Sequence, residues 1–309
     1  MNFERPVGRM GRIGKKFAEL KQRGEAALIP FVTAGDPDLA TTLEILYAVE
    51  KGGADLIELG IPFSDPTADG PTIQRSSERA LKNNLSLEKI FSLVRRFRRR
   101  SEVPLILFGY FNPFFHYGLK TFCRRAAAAG ADGVLCVDLP PEESGELKQW
   151  SDPLGLDVIF LLSPTSGPDR ILQAARQGSG FLYYVSVTGV TGARRSLDGR
   201  LRGQVARVRR AAALPVGVGF GISSPKQAAW IAGFADAAVV GSALVQLIES
   251  AKSRRQKAER AGEFVARLKG AMRRARQSSR ASPVQSSKVQ CSTSSPPNLE
   301  PRRRRNFEP

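Results

Sequence analysis

Glu58, in Leu56-Ile57-Glu58-Leu59-Gly60, is a carboxylate inside an apolar run. In an extended chain successive side chains alternate, so Leu56, Glu58 and Gly60 share one face and Ile57 and Leu59 the other. A carboxylate buried alone costs several kcal/mol, or it raises its pKa and keeps its proton. Two outcomes stay open for it. Either an Arg or Lys from elsewhere pairs with it, or it is a carboxyl poised near neutrality. The second is the form general acid–base catalysis uses, for about 10²–10⁴ in rate. The loop that follows, residues 60–71, carries three prolines, two glycines and the carboxylates Asp65 and Asp69. A strand-to-helix connection usually takes about 2–6 residues, and longer ones are more often functional. Asp69 can cap the next helix or reach back over the strand end toward whatever Glu58 faces.

Three later segments end apolar runs in glycine: Thr188-Gly189-Val190-Thr191-Gly192, Gly219-Phe220-Gly221-Ile222-Ser223, and Gly241-Ser242. Glycine lets the backbone approach a ligand closely, and free N–H groups at a helix start favour a dianion. Together they point to a phosphate group. Phe31, Phe108, Tyr110, Leu135, Tyr183 and Phe220 lie at or near run ends, where they either close a core or form a flat apolar slot. Several other residues read as structural. Asp138 fits a cap, His116 a loop, the Arg95–Arg100 cluster a solvated helix end, and Cys136 an inert core thiol.

These residues need a frame. Eight apolar runs, at 27–33, 54–60, 104–110, 133–139, 157–163, 180–186, 215–221 and 237–243, alternate with helix-like stretches. The latter cover 39–51, 86–100, 120–129, 142–150, 168–176, 203–212, 225–232 and 243–276. Near-continuous apolar strands between helices predict a parallel sheet covered on both faces. Eight units in about 250 residues fit a closed (β/α)8 TIM barrel, whose active sites lie at the C-terminal strand ends. No GxGxxG opens the first helix, which argues against a dinucleotide-binding sheet. A further helix at 10–23 precedes the first strand and should cover the barrel floor.

The chain has 309 residues, 42% hydrophobic and 25% charged, the balance of an ordinary globular protein. Its formal net charge of +18 is unevenly spread: residues 251–309 carry 16 Lys/Arg against 4 Glu, leaving 31 bases against 25 acids in residues 1–250. Residues 277–309 are rich in Ser, Pro and Arg with almost nothing to bury, so a disordered basic tail is expected after a barrel domain at 1–276. The nearly balanced body argues against nucleic acid as a partner. No apolar run reaches the roughly 18–20 residues of a membrane span and no secretory signal opens the chain, so a cytoplasmic location without membrane contact is expected. Three scattered cysteines and a single histidine, His116, argue against disulfides, a metal site and a Ser–His–Asp triad.

The ordered set Glu58 to Pro66, Ala68 to Pro71, Tyr110-Phe111-Asn112-Pro113, Asp138 to Glu143, Gly189 to Arg194, Gly219 to Ile222 and Gly241-Ser242-Ala243 resembles the tryptophan synthase alpha subunit family. The resemblance spans about residues 10–270. It implies a lyase that reversibly cleaves indole-3-glycerol phosphate to indole and glyceraldehyde 3-phosphate. By match, Glu58 is the general acid–base and Asp69 holds the indole N–H. The phosphate falls to Gly192, Gly221, Gly241 and Ser242. The indole slot falls to Phe31, Ile73, Phe108, Leu135, Tyr183 and Phe220, with Tyr110 and Thr191 also on the substrate side. It further implies that this chain carries no cofactor and works in an α2β2 tetramer, passing indole to a beta subunit that uses pyridoxal phosphate. Loops 62–71 and 187–198 would face that partner. Thr67, where the family usually has an aliphatic residue, and the arginines of 194–202 depart from its pattern. Another sugar-phosphate barrel enzyme would be expected to use different catalytic residues and would not need the 60–71 segment.

Overall fold

A computed structural model describes residues 10–186, 194–219 and 221–281. Eight parallel strands, β1 (Ala27–Thr33), β2 (Ile57–Gly60), β3 (Leu105–Gly109), β4 (Gly133–Cys136), β5 (Asp157–Leu162), β6 (Leu182–Val185), β7 (Val216–Gly219) and β8 (Ala237–Val240), pair in chain order. β8 then pairs with β1, Ala27 opposite Ala237 and Pro30 opposite Val240, and the sheet closes into the expected barrel. Alternation sorts the side chains into two layers. Ile57 and Leu59 point outward into the apolar layer beneath the helices, while Leu56 points inward with Ile29, Ile106, Leu135, Ile159, Phe181 and Val239.

Helix Arg12–Arg23 completes the inner layer, burying Ile13, Phe17 and Leu20 against those residues. It lies at the N-terminal strand ends, because Ile13 packs beside Gly133 and Gly180, which begin or precede β4 and β6. The floor is thereby plugged, as expected. The same rim is tied by side chains that precede each even strand and accept from the N–H groups of the odd ones. Asp55 accepts from Leu28 at 2.8 Å, Asp132 from Leu105 at 2.8 Å, Ser179 from Val158 at 2.8 Å and Asp236 from Val216 at 3.0 Å.

Several local expectations need correction. The stretch 243–276 is two helices, Ser242–Ser250 and Arg254–Ala281. Ala251 is extended between them, and Ser253 starts the second by accepting from the Gln256 N–H at 3.2 Å. The second helix runs past the expected domain edge at 276. The expected tail disorder concerns residues of which 282–309 lie outside the described ones. The stretch 142–150 divides into a 3-10 turn, Pro141–Glu143, and helix Gly145–Ser151. His116 is not in a loop but on the exposed side of helix Phe111–Tyr117. Arg98 is not a solvated helix end either. Its half-buried guanidinium donates to Asp132 and to the carbonyls of Gly130 and Val103, in the segments that lead into β4 and β3. Among the described residues no helix is long and apolar enough to cross a membrane.

Candidate active site

β2 carries Glu58 on its inward face, in register with Phe31 of β1 and Ile106 of β3. Its side chain is 1% exposed, and its Oε1 has no hydrogen-bond partner. No Arg or Lys among the described residues pairs with it, so the ion-pair outcome left open by the sequence is not the one adopted. Removal from water pushes its pKa up to about 8. The carboxyl therefore carries a proton at neutral pH.

The walls around it are shaped by glycines. A Cβ at Gly60 would lie 2.3 Å from Cζ of Phe31, so glycine lets that ring lie across the strand end. Phe31 meets Phe108 edge to face, centroids 5.2 Å apart. A Cβ at Gly219 would lie 2.4 Å from the Tyr183 hydroxyl. Burial raises the Tyr183 pKa well above its ordinary value, with Glu58 adding to the effect, so both oxygens hold their protons.

Asp69 reaches the site from the loop after β2. The loop is pinned on both sides: the Ala68 N–H donates to the Tyr110 hydroxyl at 2.9 Å, and Gln74 Nε2 donates to the Asp69 carbonyl at 2.9 Å. Burial raises the Asp69 pKa to about 6, against a hydrogen bond from Tyr110 that lowers it. Tyr110, buried and beside that carboxylate, is pushed up to about 12. Of the two carboxyls, one is protonated and one ionised at pH 7, the division that acid–base chemistry requires.

Across the cavity, helix Ser242–Ser250 begins at Gly241, and Gly221 sits at φ 51, in the left-handed region. The amides at this helix start and the bare glycine backbone make a cradle suited to a dianion. Glu58, Asp69, Phe31, Ile73, Phe108, Tyr183, Gly221, Gly241 and Ser242 line one cavity of about 500 Å³ at the C-terminal strand ends. Tyr110 stands behind Asp69 rather than on the wall. Leu135 corrects the expectation: it is fully buried in the inner layer below, and Val137, two residues on and on the same face, lines the cavity instead. Thr191, Gly192 and Phe220 lie outside the described residues. Leu161, Ser163, Ser166 and Arg170 also line the cavity and were not expected. Alternation along β4 and β5 carries the signal for Val137 and Leu161, whereas nothing local marks Ser166 or Arg170.

The family described as tryptophan synthase alpha chain matches residues 17–273. The chain is 57% identical over 260 residues to the tryptophan synthase alpha chain of Citrifermentans bemidjiense, covering 84% of this chain and 97% of that one. Its fold is similar to the crystal structure of tryptophan synthase subunit alpha from Legionella pneumophila, with TM-score 0.79, 38% identity, and coverage of 86% and 100%. A chain of the tryptophan synthase complex from Pyrococcus furiosus is also similar, with TM-score 0.73, 38% identity, and coverage of 80% and 98%.

Proposed function

Because the chain belongs to the tryptophan synthase alpha chain family and is therefore a lyase of tryptophan biosynthesis that cleaves indole-3-glycerol phosphate, we propose that Glu58 and Asp69 carry that cleavage. Glu58 in its acid form protonates C3 of the indole ring, leaving a cationic ring nitrogen. The new carboxylate takes the proton from the hydroxyl on the carbon bonded to C3. That C–C bond breaks, its electron pair returns to the ring, and the hydroxyl-bearing carbon becomes the aldehyde of glyceraldehyde 3-phosphate. Indole is released and Glu58 is again protonated. The Asp69 carboxylate accepts from the indole N–H and stabilises the charge that develops there.

Phe31, Ile73, Phe108 and Tyr183 hold the ring, and Gly221, Gly241 and Ser242, with Gly192, hold the phosphate. The observation that carries the reading is the buried Glu58 carboxyl with an unpaired oxygen at the cavity wall. Its test is indole release: Glu58→Gln should keep KM within a few-fold and lose about 10²–10⁴ in kcat. Turnover within a few-fold of wild type rejects the assignment.

The chain works with a tryptophan synthase beta subunit. The α2β2 stoichiometry, with loops 62–71 and 187–198 toward that partner, is the assembly we propose, and sedimentation of the mixed subunits measures it. A cytoplasmic setting fits this chemistry.

A further inference from the structure

Arg170, in the first turn of helix Pro168–Gln177, is the one cationic side chain among the described residues that line the cavity; the ionisable acids there are Glu58 and Asp69. The glycine and helix-start cradle offers amide dipoles but no net charge. A phosphate dianion approaching an ionised Asp69 is therefore repelled unless something offsets it. Arg170 can do so. Its Nη2 donates to Glu142 Oε1 at 2.7 Å, from the turn after β4, and the two side chains are 46% and 43% exposed. A pair this exposed adds little to stability, and a guanidinium with five donors keeps most of them for another acceptor. The backbone beneath it is fixed: the Ser163 N–H donates to Ser166 Oγ at 3.0 Å, and Arg207 Nη2 donates to the Ser166 carbonyl at 2.9 Å.

We propose that Arg170 attracts the phosphate-bearing substrate to the cavity and discriminates for phosphate esters, with Glu142 serving only to park the guanidinium at the rim. The inference rests on the indole-3-glycerol phosphate reading. Arg170→Gln, Arg170→Lys and Glu142→Gln test it in indole release at low and high ionic strength. Arg170→Gln should lower kcat/KM by roughly 3–10-fold at low salt with kcat little changed, and the loss should shrink as salt screens the charge. Arg170→Lys should recover most of it, and Glu142→Gln should stay at or above wild type. In the reverse condensation the KM for glyceraldehyde 3-phosphate should rise while that for indole stays. A structural latch would instead make both Gln variants fall together at every salt concentration. That result, or an Arg170→Gln enzyme equal to wild type, overturns the proposal. A wild-type chain that releases no indole would fail the functional reading alone. The effect of Arg170→Gln on the Kd for glycerol 3-phosphate, read by calorimetry, would still decide the inference.

Discussion

Two carboxyls at the cavity, Glu58 and Asp69, are both raised in pKa by burial but to different values. In the reaction proposed above, Asp69 must be ionised to hold the ring nitrogen, and Glu58 must be protonated to begin. Their pKa values of about 6 and about 8 predict a bell-shaped kcat/KM for indole release. The acid limb belongs to Asp69 and the alkaline limb to Glu58. Asp69→Asn should abolish the acid limb together with most of the turnover. Burial that serves catalysis should also cost stability. The folded-state pKa of Glu58 lies above its ordinary value of 4.5, so between those two values the folded chain keeps a proton that the unfolded chain has released. Stability from this group is thus fullest below the lower value and declines until pH reaches about 8. Glu58→Gln should melt at a higher temperature than wild type, by a margin that widens between pH 5 and pH 8. Equal melting temperatures across that range would mean that the carboxyl is hydrated or paired.

At the level of elements, the site depends on neighbouring strands meeting closely enough to shape one slot. Gly60 ends β2 where the Phe31 ring of β1 crosses it, and the ring in turn packs against Phe108 of β3. Gly60→Ala must displace that ring, and overpacking of this kind costs about 1–3 kcal/mol. The expected result is a lower denaturation midpoint together with a raised KM for indole in the reverse condensation. An unchanged KM would show that the ring does not form the slot. Gly221 differs in kind, since an added Cβ there would meet nothing within 4 Å. Its requirement is the left-handed backbone alone.

Across the whole molecule, the candidate site and the anchorage of helix Arg254–Ala281 are at opposite ends of the barrel. Lys269, buried on helix Arg254–Ala281, donates to Asp55 at 2.8 Å and to the Ala26 carbonyl at 3.1 Å, and lies 3.2 Å from Glu25. It fastens the last helix to the rim beside β1 and β2. Burial raises the Asp55 pKa against the attraction of Lys269, so losing the lysine would strand a carboxylate. Lys269→Met should destabilise by about 3–5 kcal/mol in denaturant unfolding yet leave kcat of the folded enzyme within two-fold. A selective loss of kcat would contradict this separation of the two ends. Truncation after Ala281 should alter neither the unfolding midpoint nor indole release.

Much of this was legible in the chain. Eight apolar runs specify eight strands because a parallel sheet buried on both faces needs hydrocarbon throughout, and period-2 alternation groups Glu58 with Leu56 and Gly60 on one face. Glycine at the ends of β7 and β8 marks the anion cradle for the same local reason, a backbone that no Cβ obstructs. Helix ends were less legible: the break at Ala251 and the turn at Pro141–Glu143 depend on capping and docking that periodicity does not encode. Tertiary structure alone decided that Glu58 has no cation beside it, because desolvation depends on every group that excludes water, contributed by strands far apart in sequence. The closure of β8 on β1 follows from eight repeating units, but the contact it makes, Gly241 beside the Phe31 side chain, is set only by the folded register. Tertiary structure likewise placed Leu135 one layer below the cavity and Arg170 at its rim, since depth along a barrel is set by the stagger between strands, which no single strand carries.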